Sequence, residues 1–206
     1  RQFFAAPLST RTHSVSGNQG DTLRIISSQV KTPITITDLT GARNIVLDRG
    51  QVHEQLMIGP TQISAQNPVL AAQYSNSSDF DGVVHADPFM TLLQPVPNWL
   101  SAYLVCSPPS QGGTTDFERN FINVVIPTGA TSFLRLNGQP VAGFQPIGAS
   151  GMSYARIEVD PQLNQQFLQT MNNVSTGGGP IPFAITVYGF SEYDSYAYPG
   201  GVRFDD

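Results

Sequence analysis

The chain has 206 residues and a mass of 22.2 kDa, enough for one large all-β domain or two small ones and for a sizeable core. Only 12% of it is charged, the net charge is −5 and the pI is about 5.0, with no run of basic residues, which argues against a phosphate-tracking nucleic-acid surface. Cys106 is the single cysteine, so no intrachain disulfide can form and its thiol is expected to be buried; no apolar run approaches the roughly 18 residues of a membrane helix.

Asn, Gln, Ser and Thr carry the polar load and Lys31 is the sole lysine, a profile of extracellular or fibre-like β proteins. Arg1 in place of an initiator methionine marks the chain as expected to be a piece of something longer. From Phe3 onward short strand-like runs follow one another: Thr22 to Ile26, Ile34 to Leu39, Ile45 to Leu47, Gln51 to Ile58 and Val69 to Tyr74. Gly, Pro and Asn punctuate them, as in a sandwich or barrel, and Asp48-Arg49-Gly50 reads as a tight turn.

The second half repeats the plan. Leu23-Arg24-Ile25-Ile26 is echoed by Ile122-Asn123-Val124-Val125, and Asp38-Leu39-Thr40-Gly41 by Arg135-Leu136-Asn137-Gly138. Pro68 precedes Tyr74 as Pro182 precedes Tyr188. Such echoes predict an all-β chain of two tandem sandwich-like units, residues 1–100 and 101–206, joined near Trp99-Leu100. Ser101-Ala102-Tyr103-Leu104-Val105 reads as a second version of Arg1-Gln2-Phe3-Phe4-Ala5, and Trp99 is expected to lie buried at the seam. The landmarks are further apart in the second copy. The excess is assigned to one inserted helix near 161–171, capped by Asp160-Pro161, with Leu163, Phe167, Leu168 and Met171 on one face.

Pro182 to Gly201 is the stretch the second unit leans on. Phe183, Ile185 and Val187 alternate with Ala184, Thr186 and Tyr188 as a core strand does. After Gly189 come Glu192, Tyr193, Asp194, Tyr196 and Tyr198, read as a loop that ends at Pro199-Gly200-Gly201. Aromatic rings with polar tips suit recognition, and equally suit folding back to seal the core. These five residues are the candidate ligand-binding set.

Four groups of words, taken in order, resemble the IgGFc-binding protein N-terminal domain, a family found in a mucus glycoprotein and in bacterial surface proteins. They are Gly20-Asp21-Thr22-Leu23-Arg24-Ile25; Asn67-Pro68-Val69-Leu70 with Gln73-Tyr74; Asp87-Pro88-Phe89-Met90 with Leu93-Gln94-Pro95-Val96 and Trp99; and Tyr188-Gly189-Phe190 with Tyr193-Asp194-Ser195-Tyr196 and Tyr198-Pro199-Gly200-Gly201. Leu100 stands where the family has a glycine after the Trp, and Val84-His85-Ala86 where a glycine is expected before Asp87. The resemblance implies a non-enzymatic extracellular or cell-surface module for adhesion or matrix binding, embedded in a longer surface or secreted protein. It does not imply that this copy binds antibody.

Other chemistry is thin. Asp79, Asp81 and Asp87, with His85, could form a hard-cation loop for Ca²⁺, though the terminal acid of a calcium loop is missing. A polar surface loop, with Asp87 capping the turn at Pro88, is the plainer reading. Otherwise no cofactor is expected. His13, His53 and His85 are scattered, Ser150 lacks the setting of a hydrolase nucleophile, and the glycine runs lack a phosphate loop's lysine. Asn76-Ser77-Ser78 and Asn173-Val174-Ser175 match the glycosylation acceptor pattern. The partners expected are an extracellular protein or glycan, or copies of the chain itself, with no nucleic acid. A structural repeat unit of a fibre assembling end to end and a carbohydrate-binding module stand as alternatives.

Overall fold

The structure, a computed structural model, describes residues 1–9, 20–81, 87–108, 117, 119–160, 165–170, 179–192 and 194–204. Among them the strands are β1 (Gln2–Ala5), β2 (Asp21–Ser27), β3 (Thr32–Asp38), β4 (Gly41–Leu47), β5 (Val52–Met57), β6 (Thr61–Ala65), β7 (Val69–Tyr74) and β8 (Met90–Leu92). There follow β9 (Ala102–Cys106), β10 (Arg119–Pro127), β11 (Leu134–Leu136), β12 (Gln139–Pro140), β13 (Gln145–Pro146), β14 (Met152–Val159), β15 (Gln165–Thr170), β16 (Ala184–Ser191) and β17 (Asp194–Pro199). One helical turn, α1 (Ser78–Asp81), and two 3₁₀ turns, Val96–Asn98 and Thr128–Phe133, complete the described elements.

The chain is all-β, as its alternating runs predict. Two sheets come from residues 2–92, in the orders β1-β6-β3-β4 and β5-β2-β7-β8. Two come from residues 102–199, in the orders β9-β15-β11-β12 and β14-β10-β16-β17, the last extended by β13 beyond β14. Inward residues at spacing two fill a core between the sheets of each pair. Leu23, Ile25, Ile34, Ile36, Ile63 and Ala71 line the first, and Ile122, Val124, Leu134, Leu168, Ile185 and Val187 the second.

The two pairs share one strand order, and the echoed words share one register. Thr22 faces Tyr74 and Leu23 faces Gln73; Phe121 faces Tyr188 and Ile122 faces Val187. The glycine echo is shifted by one. Asp38 faces Gly41 across Leu39-Thr40, whereas Leu136 faces Gln139 across Asn137-Gly138, whose positive φ values of 49° and 82° suit a two-residue hairpin turn of the I′ kind. Gly50, at φ 79°, makes the turn at Asp48-Arg49-Gly50, which carries the chain from one sheet to the other rather than into a hairpin.

The helix near 161–171 is corrected. Residues 165–170 form strand β15, while 161–164 and 171 lie outside the described residues. Gln166, Leu168 and Thr170 point inward and Phe167 outward, a period of two that Phe167-Leu168 conceals because a helix can also place adjacent apolar residues on one stripe. Tertiary context decides. β15 occupies the slot between β9 and β11 that β6 occupies between β1 and β3, and without it both neighbours would lose a ladder. The extra length lies partly in the connection that follows: residues 171–183 separate β15 from β16, against 66–68 between β6 and β7.

Trp99 sits where the two sheet pairs meet. It is 3% exposed, packs with Phe4 and Ala6 of the first pair and Val125, Ile147 and Tyr154 of the second, and donates its indole N–H to Gln94 O at 3.0 Å. The ring meets Phe4 edge to face at 6.0 Å. Trp99→Ala leaves a void that the rigid sheets on either side cannot collapse, so it is expected to cost about 3–5 kcal/mol. Urea unfolding measures this, and a loss below about 0.5 kcal/mol, the range of a surface substitution, would refute the seam packing.

Candidate functional site

Strand β16 positions the candidate binding segment. Phe183, Ile185 and Val187 fill the second core, while Tyr188 and Phe190 on the opposite face are also buried, against Leu8, Phe89 and Phe121. With both faces covered and β10 and β17 on either side, β16 is a rigid base. The residues beyond it are not a free loop. The chain reverses between Ser191 and Asp194, which face each other, and returns as the edge strand β17.

The hairpin places its candidates in two tiers. Glu192 and Asp194 are exposed at the turn, with the Asp194 carboxylate accepting the Ser195 N–H at 2.8 Å. Tyr193 lies outside the described residues. Tyr196 and Tyr198 are half-buried and turn their hydroxyls inward. Tyr196 donates to Asn120 Oδ1 at 2.7 Å and its ring meets Phe117 edge to face at 5.0 Å. Tyr198 donates to Cys106 O and accepts the Cys106 N–H at 3.1 Å, stacking on Tyr196 at 6.3 Å.

The Tyr198 contact answers a specific need. β9 is an edge strand, and Cys106 turns its N–H and C=O away from β15; a hydroxyl, which both donates and accepts, satisfies the two together. It also ties the edges of two sheets. Cys106, expected to be buried, is exposed on this strand.

Gly189 and Tyr196 are a second matched pair. They face each other across β16 and β17, and the Tyr196 ring lies over the glycine, so that a Cβ at Gly189 would stand 2.6 Å from the ring and 2.5 Å from Asn120 Oδ1. At Gly200 a Cβ would stand 2.2 Å from the Ile185 side chain. Sequence words of the form Tyr-Gly-Phe and Pro-Gly-Gly thus record places where rings and side chains need the missing methyl group. Gly189→Ala is expected to destabilise by about 1–3 kcal/mol. Adding Tyr196→Ala relieves one of the two clashes, so the double substitution should cost less than the sum of the single ones; strict additivity in urea melts would refute the pairing.

Burial raises the phenol pKa of Tyr103, Tyr188, Tyr196 and Tyr198 above the ordinary value. At Tyr188 the Arg156 charge opposes the rise, and at Tyr196 the neighbouring Tyr198 adds to it. An acid whose folded pKa is raised contributes stability that is whole below its unfolded pKa of about 10 and is lost as the pH climbs toward the folded value. Alkaline titration should therefore show these tyrosines ionising in one cooperative step with the loss of circular dichroism. Smooth titration of all 7 tyrosines near pH 10 with the fold intact would refute it.

Asp87 and Phe89, at the end of the acidic segment, lie against the same hairpin. Ser195 donates its hydroxyl to Asp87 O, and Phe89 packs on Tyr188 and Phe190 at 6.1 and 5.8 Å. Asp79 is exposed on α1 and Asp87 is half-buried, while the Asp81 side chain and His85 fall outside the described residues. Among the described residues no three His, Cys, Asp or Glu side chains converge as a metal site. Ser150 is a turn residue, donating to Ile147 O at 2.6 Å, and His53 Nε2 lies 3.0 Å from Gln55 Oε1. The Asn76 amide is engaged within the fold, donating to Gly20 O at 2.8 Å. The open hollow at Leu136, Val141, Arg156 and Glu158, about 330 Å³, shows no convergent titratable set.

Stacked antiparallel sheets paired around two apolar cores define the class as an all-β, sandwich-like protein. A family model described as IgGFc binding protein matches residues 1–189, and the chain belongs to that family. It is a family of binding domains with an extracellular setting. No curated protein and no solved structure matches the chain. No helix among the described residues is long and apolar enough to cross a membrane.

Proposed function

We propose that the chain is an extracellular adhesion or matrix-binding module of a longer surface or secreted protein, built as two units, 1–100 and 101–206, and working without catalysis. Its ligand, a protein or a glycan-bearing protein, is engaged at the β16–β17 hairpin by Glu192, Tyr193 and Asp194, with Tyr196 and Tyr198 as the support beneath them. The single observation that carries this reading is the contrast within the hairpin. The carboxylates of Glu192 and Asp194 face solvent, while the two tyrosine hydroxyls beneath are committed to Asn120 and Cys106. A turn fixed in this way loses little ordering entropy on contact. Exposed carboxylates and a net charge of −5 favour a basic patch on the partner.

Binding of the immobilised chain to IgG Fc, to matrix proteins and to glycans tests the reading. The pair Glu192→Lys and Asp194→Lys should reduce affinity for the bound partner at least tenfold, mainly by slowing association, with the melting temperature unchanged. Tyr196→Ala and Tyr198→Ala should act the other way, lowering stability before affinity. Unchanged binding by a folded double-lysine variant would overturn the hairpin as the site.

A further inference from the structure

The two sheet pairs are alike in order and register but unlike in what covers them. In the second pair, the outer face of β14-β10-β16 is buried. Its row Tyr154, Val125, Ala184 lies under Phe4, Ala6 and Trp99, and Phe121 and Tyr188 lie with Leu8 and Phe89. Between these rows Asn123 donates to Ala6 O and Pro7 O, and Arg156 to Pro7 O and Leu8 O.

The matching face of the first pair carries the same plan uncovered. Ile26 faces Val52 on one side and Leu70 on the other, in the register of Val125 with Tyr154 and Ala184. These three apolar side chains are 36%, 54% and 52% exposed. The row Leu56, Thr22, Tyr74, Met90 repeats Glu158, Phe121, Tyr188, Ala197, with Leu56 and Met90 46% and 51% exposed. Arg24 stands at the centre, where Asn123 stands in the covered face, beside Glu54 at 2.5 Å.

The covering element is unmatched in the opposite sense. Phe4 on β1, which presses on the second pair, corresponds by register and sequence to Leu104 on β9: Phe3 faces Ile63 and Tyr103 faces Leu168, each inward, with Phe4 and Leu104 next along. Phe4 is buried, whereas Leu104 is 69% exposed. One chain thus holds a filled contact in the middle, an open socket on its first sheet pair and an open plug on its second.

The geometry points to a second copy of this chain as the occupant. Its Leu104 side docks on the Ile26-Val52-Leu70 face, repeating between molecules the contact that Phe4 and Trp99 make within one. A contact between two different surfaces does not close on itself at two copies, so the copies stack head to tail. Arg24 then supplies a donor to the incoming backbone, as Asn123 does inside the chain. This goes beyond the hairpin reading and does not depend on it.

Sedimentation velocity of the full chain, with reductant present because Cys106 is exposed, tests the docking. The mean mass should rise with concentration from 22.2 kDa past that of a dimer. Leu70→Glu and Leu104→Glu should each abolish the rise without changing the melting temperature, and Val46→Glu, exposed on the other sheet of the first pair, should not. Should Leu70→Glu unfold, Val52→Glu replaces it. An equimolar mixture of the socket and plug variants keeps one good surface of each kind, so it should form dimers and stop there. Monomers at all concentrations, a wild type that halts at dimer, or a mixture without heterodimers would each overturn the inference.

Discussion

The fold depends on how the backbone of Ala6-Pro7-Leu8-Ser9 is satisfied. This short segment leaves β1 and runs between the two sheet pairs, out of any ladder, where unpaired peptide groups would cost about 1–3 kcal/mol each. Buried side chains from both pairs supply the partners. From the first, Asp21 Oδ2 accepts the Leu8 N–H at 2.9 Å, and Gln73 donates to Ala6 O at 3.0 Å and to Asp21 at 2.8 Å. From the second, Asn123 and Arg156 donate to the three carbonyls, and Tyr188 accepts the Ser9 N–H at 2.9 Å while donating to Asn123 at 3.2 Å. Proline at position 7 removes one donor that would otherwise need an acceptor there. The members are coupled, since Ala6 O, Pro7 O and Asp21 each accept from two donors and the side-chain amides of Gln73 and Asn123 each serve two acceptors.

This clamp explains why the register of β2 and β10 matters more than their hydrophobicity. Leu23 and Ile25 point inward on β2, where alternation marks the core face, as Ile122 and Val124 do on β10, where apolar residues stand on both faces. The burial of the other face of β10 could not be read from such a pattern. Asn123 and Phe121 are buried only because Ala6, Leu8 and Phe89 arrive from sequence positions far away, and a local pattern carries no mark of that. β15 failed to be legible for a related reason: its period of two is written in Gln166, Leu168 and Thr170, two of which are polar. Gln166 is buried because Asn137 donates to it at 2.7 Å from the hairpin turn of another strand.

The candidate site divides along the same line. Glu192, Asp194 and the rigid strand behind them were legible, because turn residues after an alternating run announce a strand end. That Tyr196 and Tyr198 belong to a strand was not. Their identities suited a binding loop, and what commits them is the unpaired edge of Cys106 and the bare backbone of Gly189, neither of which neighbours them in sequence. Gly189 held the one available signal. A glycine inside an apolar strand pattern marks a place where something approaches the backbone closely, and the aromatic residue seven positions on is what approaches.

The scarcity of charge acquires a structural cause from these contacts. Several contacts where sheets meet are made by a neutral amide or hydroxyl that reaches a backbone group: Gln73, Asn123, Thr170, Tyr103, Tyr188 and Tyr198. Such groups can be buried once hydrogen-bonded, whereas a carboxylate or ammonium in the same place must overcome a desolvation cost of several kcal/mol. Asp21 and Arg156 are the charged members of the clamp. Asp21 accepts from two donors, and Arg156 donates to two carbonyls, so each buried charge is met by charge-assisted hydrogen bonds. Where the sheet pairs meet, burial therefore favours Asn, Gln, Ser, Thr and Tyr over carboxylates and ammonium groups, and part of the low charge of the chain follows from those junctions.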